Sequence, residues 1–180
     1  MRRKLFDQFD LAVVLLDTGA RYSEAATLTW AAVDTTTWQR LILFRSKVGK
    51  EGQIALTERL CTVLRDRWNR RPNSAYVFAG YGEGDGPRGH ATAGIQKAID
   101  RAGCNAPDKV KRFGRATPHT FRDTFASRLV QAGVSLYKVQ ELLGHSSPKM
   151  TQKYAHLAPG SAADEAALVL DAIRAQIRAA

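Results

Sequence analysis

The sequence predicts an α+β domain that is mainly α-helical and carries one small antiparallel β-sheet. Most segments repeat apolar residues at helical spacing between start and stop signals, whereas only one pair of β-rich runs flanks a glycine-containing turn. The strand–helix alternation that builds parallel sheets is missing. With 180 residues and 44% apolar content, the chain is expected to form a single domain. The predicted core covers residues 5–157, and a C-terminal helix follows at residues 161–178.

Two helices are predicted near the N-terminus. Gly19 can supply the left-handed residue that ends the first helix, whose apolar residues at helical spacing are Leu5, Phe6, Phe9, Val13 and Leu16. A short second helix is predicted over residues 22–28. Glu24 lies in its first turn, where the helix dipole favours a negative charge. The first helix is expected to be buried.

The β signal lies in the next segment. Residues 41–45 and 53–56 are predicted strands, and the glycines in residues 48–52 favour a hairpin turn between them. Thr57 then caps a helix that ends before Pro72. The glycine-rich loop at residues 80–89 formally contains the dinucleotide-binding pattern, but no βαβ unit surrounds it. A dinucleotide site is therefore not predicted.

The C-terminal half is predicted to be helical apart from one basic stretch. A helix over residues 92–102 is followed by an irregular segment, 104–116, which is either a solvated basic loop or a phosphate-contacting loop; its cations are Lys109, Lys111, Arg112 and Arg115. Cap signals then start helices at Thr117, Ser135, Ser147 and Ser161. The third of these is expected to run through Tyr154, and the last is amphipathic.

The charge balance indicates a polyanionic partner. Lys and Arg number 27 against 17 acids, which gives a formal charge of +10. The longest apolar run, residues 11–16, is far too short to span a membrane, and polar residues follow the basic N-terminus where a signal peptide would be apolar. An intracellular, cytoplasmic protein without membrane association is expected. Cys61 and Cys104 have neither disulfide-framework nor zinc-site spacing, so no metal is predicted.

His119 and Arg122 are the first candidates for chemistry. They lie three residues apart at a helix start, on one face and beside free backbone N–H groups that favour a phosphate. An isolated pair of this kind is more often an incidental first-turn histidine and a solvated arginine. The rest of the sequence must decide between these interpretations.

Other motifs along the chain distinguish between these two interpretations of His119 and Arg122. A Thr-Gly turn precedes Arg21, a lysine-containing hairpin follows, and Leu-Gly-His at residues 143–145 comes nine residues before Tyr154 in a Tyr-x-His context. With His119-x-x-Arg122, these motifs resemble those of the tyrosine recombinase (phage integrase) family in type and order. The resemblance covers residues 11–157, and the joint occurrence of several spaced motifs is far more specific than any one of them.

The resemblance implies a role for each matching residue. Arg21 and Arg122 would grip the scissile phosphate, Tyr154 would attack it, and His119 and His145 would complete the ring around it. Planar guanidiniums suit the charge on a pentacoordinate phosphorane, and a tyrosine phenol must lose its proton to attack. The hairpin offers two lysines: Lys47 is assigned as general acid and Lys50 as a phosphate contact. Glu24 would orient Arg21.

The resemblance also implies an activity. We expect a catalytic domain that cleaves and rejoins double-stranded DNA through a covalent 3′-phosphotyrosine, without metal, ATP or any cofactor. A type IB topoisomerase and a DNA-binding remnant that no longer cuts are the alternatives. A monomer in free solution and a homotetramer on paired sites are expected, with the C-terminal helix exchanged between protomers. The family's N-terminal DNA-binding domain is expected to be absent, through truncation, from a protein of bacterial or phage origin.

Overall fold

The computed structural model describes residues 2–45, 48–70, 73–80, 85–89, 92–160 and 162–179. Two strands, β1 (Arg40–Arg45) and β2 (Lys50–Ala55), form an antiparallel pair. The remaining regular elements in these ranges are helical, so the predicted α+β class is confirmed. They are α1 (Arg2–Thr18), α2 (Tyr22–Ala26), α3 (Glu58–Arg70), α4 (Ala93–Arg101), α5 (Pro107–Phe113), α6 (Pro118–Gln131), α7 (Leu136–Leu143), α8 (Lys149–Gln152), α9 (Ala162–Ala179) and 3₁₀ turns at Trp30–Ala32 and Ala155–Leu157.

Helix α1 lies at the centre of the main core and packs against α3, α4 and α6. Its apolar stripe was predicted partly wrongly, because Phe9 is 60% exposed whereas Leu11, Val14 and Leu15 are buried. Contacts with several elements bury consecutive residues, so a single stripe does not describe this helix. Asp10 is buried in the same helix because Arg67 of α3 donates to it at 2.8 Å.

The hairpin differs from its prediction at the start of the second strand. Lys50 pairs with Arg45 and Ile54 with Leu41, so β2 begins three residues before the predicted position. Gly49 adopts a φ of 62°, which the tight turn requires and which glycine adopts without strain. Lys50 was predicted to lie in the turn and instead begins the strand, because cross-strand hydrogen bonding extends β2 through polar residues that carry no strand signal.

Three other boundaries also differ from the predictions. Residues 107–113 of the predicted irregular segment form α5, which contains no buried residue and therefore shows no apolar periodicity. Helix α2 ends at Ala26 and not at residue 28. Helix α8 was predicted to run through Tyr154 but ends at Gln152, because the chain tightens into the 3₁₀ turn Ala155–Leu157 directly after Tyr154.

The predicted caps of α6 and α7 are confirmed. The hydroxyl of Thr117 accepts from the His119 backbone N–H at 3.3 Å, and Ser135 accepts from Lys138 N at 3.4 Å. Gly144 ends α7 in the left-handed conformation. A second apolar cluster, made by α6, α7 and Tyr154, lies on these two helices. Among the described residues, no helix is both long and apolar enough to span a membrane.

A buried arginine connects the hairpin to the rest of the domain. Arg45 is 1% exposed, and its Nη1 donates to Glu24 Oε2 of α2 at 2.7 Å. Its Nη2 donates to the carbonyl oxygen of Leu142 at the end of α7. The alternating burial of β1 directs this side chain inward at the strand end. The end of β1 is therefore fixed to both α2 and α7.

We expect Arg45→Met to lower the free energy of unfolding by about 3 kcal/mol, because it leaves the buried Glu24 carboxylate without one of its partners. Chemical denaturation at neutral pH measures this loss. The matched control is Arg40→Met at the exposed start of the same strand, with an expected change below about 0.5 kcal/mol. Because the folded protein holds the pKa of Glu24 below its ordinary value, the wild-type advantage should shrink as the pH falls below about 4. Equal losses in the two variants would contradict this account.

Candidate active site

Glu24 holds Arg21 in position. The Arg21 backbone N–H donates to Glu24 Oε2 at 2.8 Å, and Arg21 Nη1 donates to Oε1 at 2.7 Å. Burial raises the pKa of the Glu24 carboxyl, but the Arg21 N–H and the charge on Arg45 outweigh it, and the pKa falls below its ordinary value. Glu24 is therefore ionised at neutral pH and orients the Arg21 guanidinium.

Arg122 lies on the inward side of the first turns of α6 and is 2% exposed. Its Nη1 donates to Gly19 O at 2.6 Å, and its Nη2 donates to Leu143 O. Burial, followed by the charges on Arg21 and Arg45, lowers the pKa of Arg122 to about 10. The guanidinium remains charged at neutral pH, and it joins the turn before Arg21 to the turn before His145.

Gly19 allows these segments to approach. A Cβ atom at this position would lie 2.5 Å from the Phe125 ring and 2.9 Å from a Leu143 methyl group, and the φ of 60° already disfavours other residues. The Thr-Gly turn of the sequence motif is thus also a packing requirement. It sets how closely α1 approaches α6 and α7.

The two histidines differ in their surroundings. His145 follows the left-handed Gly144, and its Nδ1 lies 2.7 Å from Thr151 Oγ1. Burial, followed by the charges on Arg122 and Arg21, lowers the pKa of His145 to about 4, so this imidazole is neutral at neutral pH. His119 lies on the more exposed first turn of α6, where desolvation lowers its pKa despite the opposing charge of Asp123.

Tyr154 is 5% exposed and packs in the second apolar cluster with Ala126, Val130 and Leu143. Its hydroxyl donates to Asp123 Oδ1 at 2.5 Å. Burial and this hydrogen bond raise the pKa of Tyr154 above its ordinary value. The phenol is therefore protonated at neutral pH, and its oxygen points toward α6.

The structure brings most of the candidates together. Arg21, Arg122 and His119 each influence the pKa of His145 electrostatically, and Tyr154 influences that of Arg122, so these groups share one region. Lys47 lies outside the described residues. In the parts of the chain that are described, no group of three or more His, Cys, Asp or Glu side chains is arranged to hold a metal ion.

The basic candidates outside this cluster are exposed. Lys50 lies at the start of β2, and three of the other four belong to α5, while Arg115 approaches Asp100 at 3.5 Å. The α5 cations present their charge to solvent; they are Lys109, Lys111 and Arg112. This surface suits a polyanion without selecting one.

Sequence reasoning missed Arg45, Asp123, Thr151 and Lys153. Asp123 is one helical turn after His119, a spacing that could have indicated a shared face. Lys153 precedes Tyr154, but nothing in the sequence relates it to Asp123, whose Oδ1 it reaches at 2.8 Å. Arg45 and Thr151 act as buried partners, and their identities alone gave no signal for that.

Comparison with known proteins identifies a family. The sequence matches the profile of the phage integrase family over residues 2–160. It is 31% identical over 156 residues to tyrosine recombinase XerC of Treponema denticola, covering 79% of this chain and 49% of the relative. It is 34% identical over 149 residues to tyrosine recombinase XerD of Mycobacterium tuberculosis, covering 78% and 45%. The chain thus spans about half the length of these relatives.

A solved structure shares the fold. The crystal structure of XerH site-specific recombinase bound to its difH substrate, a pre-cleavage complex, superposes with a TM-score of 0.70 at 21% identity. The match covers 93% of this chain and 48% of that chain. With the profile match over most of its length, the chain belongs to the phage integrase family of tyrosine recombinases.

Proposed function

We propose that this chain is the catalytic part of a site-specific DNA recombinase or integrase that cleaves and rejoins double-stranded DNA through Tyr154. The observation that carries the proposal is the pair of anchored arginines, of which Arg122 interacts electrostatically with Tyr154. Arg21 is fixed by Glu24, and Arg122 is fixed by the carbonyl groups of Gly19 and Leu143. Membership of a family whose relatives are named recombinases and integrases supports it.

The arginines would bind the nonbridging oxygens of the scissile phosphate. Attack by Tyr154 adds negative charge to those oxygens, and donors that are already oriented stabilise it without reorganisation. Because both guanidiniums are held by protein acceptors, their remaining N–H groups would need little reorientation to bind a phosphate. The Tyr154 hydroxyl would lose its proton to His119 or His145 as its oxygen forms a bond to phosphorus. The bond between phosphorus and the 5′-bridging oxygen would break at the same time, with a proton supplied to that oxygen.

The remaining candidates would complete the reaction. His145 is neutral and paired with Thr151, so its other ring nitrogen is available to a phosphate oxygen, and His119 would contact the same group. Lys47 would donate a proton to the departing 5′-oxygen. Lys50 and the exposed cations of the α5 region would contact the DNA backbone. The resulting 3′-phosphotyrosine conserves the energy of the phosphodiester, so a 5′-hydroxyl can reverse the step without ATP.

We further propose that the cleavage step requires no metal or cofactor, since arginine and lysine would supply the positive charge that two-metal nucleases take from ions. The protein would act inside the cell as a monomer that assembles into a tetramer on paired sites. Helix α9 would be exchanged between protomers, because Leu168, Leu170, Ile173 and Ile177 along it are exposed.

The central test is covalent capture. Incubation with a nicked DNA substrate carrying the recombination site should yield an adduct whose phosphorylated peptide contains Tyr154, and Tyr154→Phe should abolish it. Tyr137→Phe is the matched control, because Tyr137 is 69% exposed on α7, and it should form the adduct normally. The reaction should persist in EDTA. An adduct that survives in Tyr154→Phe would refute the assignment.

The assignment of the general acid is tested by changing the leaving group. Lys47→Ala should cleave normal DNA at least about a hundredfold more slowly and recover on DNA with sulfur at the 5′-bridging position, which leaves without a proton. Lys50→Ala should lose only DNA affinity. Rescue by sulfur in Lys50→Ala, and not in Lys47→Ala, would assign the acid to Lys50.

Removal of α9 tests the proposed exchange. A protein lacking residues 161–180 should bind a single site as the full chain does but should fail to form the tetrameric complex on paired sites. Native gel mobility and analytical ultracentrifugation measure both properties. Undiminished tetramer formation would show that the exposed apolar residues of α9 have another role.

A further inference from the structure

One carboxylate contacts the proposed nucleophile directly, and the family motifs give it no role. Oδ1 of Asp123 accepts a hydrogen bond from the Tyr154 hydroxyl at 2.5 Å and another from Lys153 Nζ at 2.8 Å. The Lys153 ammonium also lies 4.8 Å from the centre of the Tyr154 ring. The side chains of Asp123, Lys153 and Tyr154 thus each contact the other two beside α6.

We propose that Asp123 is the positioning residue for the nucleophile: its carboxylate orients the Tyr154 hydroxyl, and Lys153 balances the charge of that carboxylate. This inference rests on the proposed function, because it assigns the purpose of the arrangement to DNA cleavage. The arrangement itself is a property of the protein without DNA.

The Tyr154 hydroxyl donates its hydrogen bond to Asp123, and Lys153 interacts with the same oxygen as a donor. The Tyr154 ring is held by Ala126 and Val130 of α6 and by Leu143 of α7, which fix its position. These apolar contacts do not set the direction of the O–H bond. Asp123 does, and it belongs to the same helix turn as Arg122, so the phenol is aligned relative to the arginine proposed to bind the phosphate.

The charges around the phenol explain why orientation suits Asp123 better than proton removal. The carboxyl is partly desolvated, which raises its pKa, but the hydrogen bonds from Lys153 and Tyr154 outweigh this and lower it. Burial and Asp123 raise the pKa of Tyr154, and Lys153 opposes them. With their ordinary pKa values, an aspartate carboxylate is about six orders of magnitude less basic than a phenolate. Asp123 is therefore a good acceptor and a poor base.

Other charged groups face the same region. From α6 these are Arg122 and His119, and from the turn after α7 it is His145. All are retained in the variants below. A change in Tyr154 titration between variants therefore reports on Asp123 and Lys153.

The first measurement uses the full chain without DNA. Carbon-13 NMR of labelled tyrosine, with the Tyr154 signal assigned through Tyr154→Phe, follows ionisation of the phenol. Asp123→Asn should lower the pKa of Tyr154 by about half a unit or more, and Lys153→Met should raise it. Lys149→Met, an exposed lysine of α8, is the matched control and should leave it unchanged. An unchanged pKa in Asp123→Asn would overturn the proposal.

The second measurement is the rate of adduct formation as a function of pH. Asp123→Ala should slow it by about tenfold or more, and Asn, which still accepts a hydrogen bond, should restore most of that loss. The alkaline rise of the rate should move to lower pH in Asp123→Asn and to higher pH in Lys153→Met. Equal losses of about a hundredfold in Ala and Asn would indicate a general base and overturn the positioning role.

The two measurements separate the possible failures. If the wild-type chain forms no adduct through Tyr154, the proposed function fails, while the DNA-free titration still decides whether Asp123 controls the phenol. If the adduct forms but neither substitution changes its rate or the Tyr154 titration, the function stands and the positioning role is refuted.

Discussion

The buried guanidinium of Arg122 is the constraint on which the arrangement of the site depends. It donates to Gly19 O and Leu143 O, which belong to turns more than a hundred residues apart in the chain. A buried arginine is tolerated only when its N–H donors have acceptors. Separation of the two turns would therefore leave the Arg122 guanidinium either exposed to water or buried without its acceptors. Both turns lead directly into candidate residues, Arg21 and His145. One side chain therefore fixes the spacing of the proposed phosphate site.

Electrostatic repulsion is built into the same region. Arg21 and Arg45 both depress the pKa of Arg122, and Glu24 compensates for only part of this positive charge. Such a cluster favours the approach of an anion, because a bound phosphate would relieve the repulsion among the guanidiniums. The net charge of +10 attracts a polyanion over longer distances, whereas the excess positive charge of these arginines attracts an anion to one position. The low pKa of His145 has the same origin, since burial and the same arginines disfavour a further positive charge.

The site spans two apolar clusters. Arg21 immediately precedes α2 and Glu24 lies in it, and α2 packs with α1 and the hairpin in the main core. Tyr154 packs on α6 and α7 in the second cluster. Helix α6 contacts both clusters, because it packs against α1 and also contributes to the second cluster. It carries Arg122 and Asp123 side by side. Displacement of α6 would therefore move Arg122 and Asp123 together, whereas Arg45 holds the hairpin to Glu24 of α2 and to Leu142 of α7.

The sequence by itself determined the features that depend on neighbouring residues. The caps at Thr117 and Ser135, the left-handed Gly144 and the existence of the hairpin follow from local hydrogen bonds and backbone preferences. The order of motifs also predicted which family the chain belongs to. Helix α5 was not predicted because an exposed helix needs no apolar stripe. The early start of β2 was not predicted because it depends on hydrogen bonds to β1 across the turn.

Only the tertiary structure decided which side chains become partners. Arg45 reaches a carbonyl 97 residues away, and Asp123 meets Tyr154 across 31 residues. The spacing of residues in the sequence indicates neither contact, because the energy of a buried polar group depends on the hydrogen-bond partners that folding brings to it. The residue types of the candidate site could thus be identified from the chain alone. Their orientation, ionisation and supporting contacts required the fold.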